Sequence, residues 1–131
     1  MALELQSILL SKCVFLIKKH QNSCPQYNLK LVSYRNKKEL KIEPNKFLRE
    51  IILSFDTFEV NPNCSMTCTW VMRYEYTRAD EHLLKEHIVV AHSIPYLREF
   101  VANTLMRAGM TPNLLKPTNA FELWKTYNEN R

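Results

Sequence analysis

Alternating apolar and polar residues are the main pattern over the first half of the chain. The clearest alternation runs through residues 64–77, with cysteine, methionine and aromatic residues on one side and polar residues, apart from Val71, on the other. A period of two is that of a β-strand with one buried face. These residues therefore predict a strand that packs on one side against a core.

The first segment, residues 3–19, begins with the same alternation and becomes apolar on both sides at residues 13–17. A strand that is apolar on both sides is buried on both, either inside the fold or against another chain. A helix is the competing interpretation, because Leu5, Ile8 and Leu9 also have helical spacing. The β-branched and aromatic residues that follow favour a strand.

Two further strands are predicted between these segments. Residues 27–42 form a strand or a bent strand with a basic middle, and residues 47–60 form another. The apolar positions of the latter shift phase after Phe55, which indicates a β-bulge or a strong bend near Asp56 and Thr57. Short turns between four strands, followed by helices, predict an α+β fold: a four-stranded antiparallel sheet with C-terminal helices packed on one face. No repeat or linker divides the chain, so residues 1–131 are predicted to form one domain.

Helical periodicity appears after residue 92, preceded by a short helix within residues 79–86. Ser93 is suited to be the N-cap of the main helix, with Pro95 in its first turn. The only glycine, Gly109, lies where a helix ends in a left-handed residue. The apolar face of this helix is formed by Leu97, Phe100, Val101, Leu105 and Ala108. A second helix, capped by Thr118 or Asn119, carries Phe121, Trp124 and Tyr127.

Composition limits the functional classes. The net charge is +5, which favours acidic partners. No apolar run is long enough to span a bilayer, and Glu4, Ser7 and Ser11 argue against a secretory signal, so we expect a cytoplasmic protein without membrane insertion. In the cytoplasm the four cysteines are expected to be reduced and packed as small apolar groups.

No residue pattern indicates an enzyme, a metal site or a cofactor. His82, His87 and His92 are spaced by five, which rotates successive side chains by about 140° beyond a full helical turn. Cys64 and Cys68 share a strand face, but four strand residues span about 13 Å, too far for one zinc ion with bonds of about 2.3 Å. One glycine cannot build a phosphate-binding loop.

The last third of the chain combines prolines, apolar residues and charged residues in a fixed order: Pro95, Tyr96, Arg98, Glu99, Pro112, Leu114, Pro117, Asn119, Phe121, Leu123 and Tyr127. In order and spacing these residues resemble the C-terminal signature of the SecB family of bacterial protein-export chaperones. Spacing slips by about one residue around Pro112, which is typical of a divergent relative. The strand pattern of the first two thirds agrees with the SecB fold.

The resemblance implies a molecular chaperone that holds unfolded polypeptides without ATP, as a homotetramer built from a dimer of dimers. Clients would bind apolar surface between sheet and helix, where methionine and aromatic side chains adapt to different partners. The residues expected to bind them are Leu53, Phe55, Trp70, Met72, Tyr74 and Tyr96.

Two departures from the SecB pattern bear on the partner. SecB binds the motor protein SecA through an acidic sheet surface and a zinc-binding tail, whereas this chain is basic and has no Cys or His in its last stretch. We therefore expect SecA docking to be lost. A dedicated client, such as an antitoxin, fits at least as well as preproteins for export.

Two other classes of function remain as alternatives. A nucleic-acid-binding α+β protein would use residues 35–46, with Tyr27 and Tyr34 for base stacking. The basic residues of that stretch are Arg35, Lys37, Lys38, Lys41 and Lys46. The scarcity of glycine and of recognition motifs makes nucleic acid the less favoured partner. A passive structural subunit would form stable oligomers without binding clients.

Overall fold

A computed structural model describes residues 4–17, 29–57, 64–109 and 118–131. Within these residues the order of elements is five strands followed by helices. The strands are β1 (Glu4–Ile17), β2 (Lys30–Asn36), β3 (Leu40–Glu43), β4 (Lys46–Asp56) and β5 (Cys64–Tyr76). A 3₁₀ turn (Arg78–Leu83), α1 (Glu86–Arg107) and α2 (Ala120–Glu129) follow.

The strands form one antiparallel sheet in the order β1-β5-β4-β2, with β3 also paired to β4. The predicted α+β fold, with an antiparallel sheet followed by helices, is confirmed. The predicted bent strand at residues 27–42 is interrupted at residues 37–39, so β2 and β3 contact successive parts of β4. β1 forms one edge of the described sheet, and β2 and the four-residue β3 lie side by side at the other.

The core lies on the face of the sheet that the helices cover, here called the inner face. Alternate residues of β5 from Met66 to Tyr76 are buried on it, as the alternation predicted. On β4 the inner residues Ile51, Leu53 and Phe55 have no exposed surface. The opposite face, here called the outer face, carries the other residues of each strand.

Helix α1 lies over β5 and runs antiparallel to it, since His92 meets Tyr74 whereas Phe100, two turns later, meets Trp70 four residues earlier in the strand. The inward-facing residues Leu97, Val101 and Leu105 are fully buried, which confirms the predicted apolar face. No helix among residues 4–17, 29–57, 64–109 and 118–131 is long and apolar enough to cross a membrane.

The predicted start of the main helix was wrong. Helix α1 begins seven residues before Ser93, with Lys85 at the N-cap, and Pro95 lies inside it. Ser93 is buried, and its hydroxyl donates a hydrogen bond to the carbonyl of Val90 at 2.6 Å. The exposed Pro95 removes one backbone donor from the helix interior, and packing of α1 on the sheet retains the helix despite that loss.

The predicted helix ends are confirmed. Gly109 has a φ of 79°, in the left-handed region that glycine reaches without a steric penalty. The side chain of Asn119 caps α2 by accepting hydrogen bonds from the backbone N–H groups of Phe121 and Glu122. Strand β4 ends at Asp56 with a bend at Thr57. Of the resemblance residues, Pro112, Leu114 and Pro117 lie outside the described part of the chain, as do Tyr27 and residues 58–60 of the predicted third strand.

Candidate functional site

Five of the six residues predicted to bind clients lie in the core beneath the helices. Four of them, Leu53, Phe55, Met72 and Tyr74, have no exposed surface, and Trp70 keeps 6% of its surface exposed. Tyr96 differs, because it lies on α1 with 45% of its surface exposed. Of the six predicted residues, five are therefore buried in the single chain, and only Tyr96 is accessible.

A partly exposed group of apolar side chains lies beside this core, between β1 and α1. Leu10 pairs with Trp70 across β1 and β5, and the Trp70 and Phe100 rings meet edge to face at 5.9 Å between centroids. Cys13 and Phe15 are half-buried neighbours of Leu10 on the inner side of β1, and Leu10 is 37% exposed. We call these five residues the β1 cluster.

Tyr96 extends the β1 cluster along α1. It precedes Phe100 by four residues, so the two rings lie on one side of the helix, one turn apart. On the strand, Ile8 precedes Leu10 on the inner side and pairs with Met72. Within the described part of the chain neither helix packs closely over β1, and the inner residues of this strand are only half-buried.

Trp70 contributes an unusual polar atom to the β1 cluster. Its indole Nε1–H is buried and has no hydrogen-bond acceptor among the described residues. A buried donor that lacks a partner destabilises a fold by about 1–3 kcal/mol. A carbonyl oxygen that reached this donor would remove that penalty.

The two edges of the sheet differ in accessibility. β1 has 14 residues, pairs with β5 on one side, and has no partner on its other side among the described strands. Four of its apolar residues are exposed: Leu9, Leu10, Val14 and Leu16. A long edge strand with exposed apolar residues is a template for pairing with another strand.

The β2 edge, by contrast, is closed by α2. The hydroxyl of Tyr127 accepts a hydrogen bond from the backbone N–H of Tyr34 at 3.3 Å. The ring of Tyr34 packs edge to face against Trp124, with centroids 5.0 Å apart. Burial raises the pKa of the Tyr34 hydroxyl, so this ring is neutral at physiological pH. Arg35, Lys37 and Lys38 follow, and charged residues on an edge discourage pairing.

This packing bears on the nucleic-acid interpretation. Tyr34, one of the two rings expected to stack on bases, lies against Trp124 and Tyr127 of α2. The other, Tyr27, lies outside the described residues. The basic side chains of Arg35, Lys37, Lys38 and Lys41 are exposed without a free aromatic partner beside them in the described stretch. Nucleic acid is therefore not the favoured partner.

Thiol and imidazole groups in the core are paired with other side chains. The Sγ atoms of Cys13 and Cys68 lie 3.7 Å apart across β1 and β5, and burial raises the pKa of the Cys68 thiol. The Nδ1 atom of His92 lies 2.8 Å from the hydroxyl of Tyr74, and burial lowers the pKa of this imidazole. No group of three or more metal-binding side chains occurs among the described residues.

The strongest charge cluster lies away from the β1 cluster, where β2 and β3 separate. Arg78 donates two hydrogen bonds to the Glu39 carboxylate at 3.0 and 2.8 Å, and the Tyr76 hydroxyl donates a third. Arg78 also lies 3.9 Å above the ring of Phe47. The hydrogen bonds from Arg78 and Tyr76 lower the pKa of Glu39 from its ordinary value. This cluster attaches the connection between β2 and β3 to the end of β5.

A pH dependence of stability follows from Glu39. A carboxyl with a lowered pKa in the folded state stabilises the fold above its ordinary pKa of 4.5, and that contribution disappears as the pH falls through the folded-state value. We expect Glu39→Gln to lower the urea midpoint at pH 7, and this difference from the unmodified protein to shrink as the pH falls below 4.5. Glu43→Gln is the control, because Glu43 is largely exposed and lies 3.9 Å from Lys46. A difference for Glu39→Gln that does not change with pH would contradict this prediction.

Comparisons with known proteins support the fold. One similar solved structure is the Mycobacterium tuberculosis Rv1957 SecB-like chaperone in complex with a ChAD peptide from the Rv1956 HigA1 antitoxin. The TM-score is 0.52 at 14% sequence identity, over 88% of this chain and 86% of that chain. No family model and no curated protein matches the sequence. The likeness is one of architecture: an antiparallel sheet with C-terminal helices.

The sequence did not identify the β1 cluster as a site. Cys13 and Phe15 fall in the run predicted to be apolar on both sides, Phe100 on the predicted apolar face of the main helix, and only Trp70 is among the predicted client-binding positions. The sequence did contain one signal for an exposed apolar surface on β1. This was the apolar run at residues 13–17, for which packing against another chain was one of two interpretations. The exposed fractions of Val14 and Leu16, 40% and 56%, agree with that alternative in the single chain.

Proposed function

We propose that this protein is an ATP-independent chaperone of the SecB type, a divergent relative that holds unfolded or partly folded polypeptides. The observation that carries the proposal is the apolar group formed by the β1 cluster and Tyr96, in which Leu10 and Tyr96 are exposed and Cys13, Phe15 and Phe100 are half-buried. Burial of apolar client side chains on this surface supplies a driving force that does not depend on a defined sequence. The fold shared with a SecB-like chaperone supports the same function.

The six predicted residues have different roles in this proposal. Trp70 and Tyr96 contact the client, together with Leu10 and Phe100. A client backbone carbonyl that reached the buried Nε1–H of Trp70 would supply the acceptor that this group lacks among the described residues. The other four predicted residues are fully buried and support the contact residues from the core: Leu53, Phe55, Met72 and Tyr74.

The open edge of β1 is assigned to a second copy of the chain. Two β1 strands that pair antiparallel about a two-fold axis would continue the sheet through both copies. The two β1 clusters would then lie on the same side of the joined sheet, which lengthens the apolar surface for an extended client. Such a pair is the first half of the proposed dimer of dimers.

The class of client follows from charge and from the similar chaperone. The basic chain does not offer the acidic surface through which SecB binds SecA, so preprotein export is the less favoured role. The SecB-like chaperone of known structure binds a peptide from an antitoxin. A dedicated cytoplasmic client of that kind fits this chain best.

The test is suppression of aggregation of a reduced, unfolded model protein without nucleotide, with the mass of the chaperone measured by light scattering. We expect an oligomer that prevents aggregation near stoichiometric ratio and binds extended apolar peptides. A peptide array that covers several unfolded proteins extends the test to a selective client. A folded protein that protects no substrate and binds no peptide would overturn the proposal.

A further inference from the structure

A row of aliphatic residues crosses the outer face of the sheet, on the side away from the helices. Leu9 of β1 pairs with Val71 of β5, and Val71 pairs with Ile52 of β4. The next residue in the row is Arg35 of β2, paired with Ile52. Leu9 is 58% exposed, and Val71 and Ile52 are half-buried. Since adjacent strands lie about 4.8 Å apart, the aliphatic part of this row spans about 10 Å.

Positive charge surrounds this outer-face row. Lys12 lies in the neighbouring row on one side, paired with Thr69. On the other side, Arg73 contacts Glu50 at 2.6 Å, and Lys37 lies 3.9 Å from the same carboxylate. Lys12 and Arg35 are exposed, and neither contacts a carboxylate among the described residues. Four positive charges therefore lie in or beside this row, on Lys12, Arg35, Lys37 and Arg73. The carboxylate of Glu50 lies between Arg73 and Lys37.

The spacing of the row resembles that of a helix surface. Residues three and four apart on a helix have Cβ atoms about 5–6 Å apart, close to the separation of adjacent strands. A partner helix laid across the strands would bring one apolar stripe onto Leu9, Val71 and Ile52. Carboxylates beside that stripe would face the cations on either side.

We propose that the outer face docks an acidic amphipathic helix of a partner protein. Nucleic acid fits the surface less well, because the described residues of the outer face include no aromatic side chain for base stacking, and the row is aliphatic. The proposal stands apart from client binding, which uses the opposite face of the sheet. The same chain would then hold a polypeptide on one face and a second protein on the other.

The probe is a synthetic amphipathic peptide of about 18 residues, long enough to form a helix, with leucines in one stripe flanked by glutamates. A second peptide of the same pattern carries lysines in place of the glutamates. We expect the glutamate peptide to bind in a fluorescence-anisotropy titration and the lysine peptide not to bind. The Lys12→Glu/Arg35→Glu variant should bind the glutamate peptide at least about tenfold more weakly.

The matched control is Lys38→Glu/Lys41→Glu, which changes the net charge equally. Lys38 lies in the connection after β2, and Lys41 pairs with Phe47 of the inner face. An equal loss in both double variants, or binding of the lysine peptide, would overturn the proposal. So would displacement of the peptide by a DNA oligonucleotide, or a change in oligomer mass in Lys12→Glu/Arg35→Glu, which would assign the face to nucleic acid or to a second copy. Aggregation suppression is expected to be the same in both variants.

Discussion

Replacing Phe100 with aspartate is expected to weaken polypeptide binding at least about tenfold. Full burial of a phenylalanine side chain is worth about 1.5–3 kcal/mol, and 1.4 kcal/mol corresponds to a tenfold change in affinity. The substitution also puts a charge beside the buried indole of Trp70, where an apolar client residue would otherwise lie. The measurement is a peptide titration alongside aggregation suppression.

Phe100 also packs on the core, so a second variant separates binding from folding. Leu10→Asp changes the same cluster at a residue that is 37% exposed, with a smaller effect on stability. The matched control is Leu40→Asp, because Leu40 is 59% exposed and lies on β3, beyond β4 and β5 from the β1 cluster. If Leu10→Asp and Leu40→Asp kept equal binding while both remained folded, the client site would not be at the β1 cluster.

Truncating Leu97 to alanine is expected to lower the free energy of unfolding by about 2–5 kcal/mol. Leu97 has no exposed surface and packs from α1 into the core of the sheet, so its loss leaves a cavity. Domains of this kind have a total free energy of unfolding of about 5–15 kcal/mol, so the loss would be a large part of it. Urea unfolding followed by circular dichroism measures the change.

The control for Leu97→Ala is Glu99→Ala, two residues later on the exposed side of the same helix. That substitution should change the free energy of unfolding by no more than about 0.5 kcal/mol. Equal effects from the two variants would mean that α1 does not pack on the sheet through the face that contains Leu97.

The sequence predicted the elements whose pattern is local. Strand β5 was predicted from seven alternating residues, and the two helix ends from Gly109 and Asn119, because a left-handed residue and a side-chain cap are properties of one position. The start of α1 was mispredicted because Pro95 is also suited to a first turn. Burial of Val89 and Val90 against the sheet extends the helix toward its N-terminus, and that burial depends on contacts distant in the chain.

The site was harder to predict than the fold for a related reason. A period of two identifies which residues face the core, and it places Trp70 and Met72 on the inner face of the sheet. It does not tell which inner residues the helices leave accessible. That depends on the position of α1 over β5 and of α2 beside β2, and inner residues of β1 such as Cys13 and Phe15 are only half-buried in the described structure.

The hydrogen bond between Tyr127 and the backbone of Tyr34 has a consequence for how far assembly proceeds. A sheet with two open edges adds copies at both ends and grows into a fibre, whereas a sheet with one open edge stops after a single addition. Because α2 packs on β2 and β3 has only four residues, β1 is the long edge left open among the described strands, and the proposed pairing of two copies would use it. By covering β2, the C-terminal helix would favour a finite pair of copies over continued growth of the sheet.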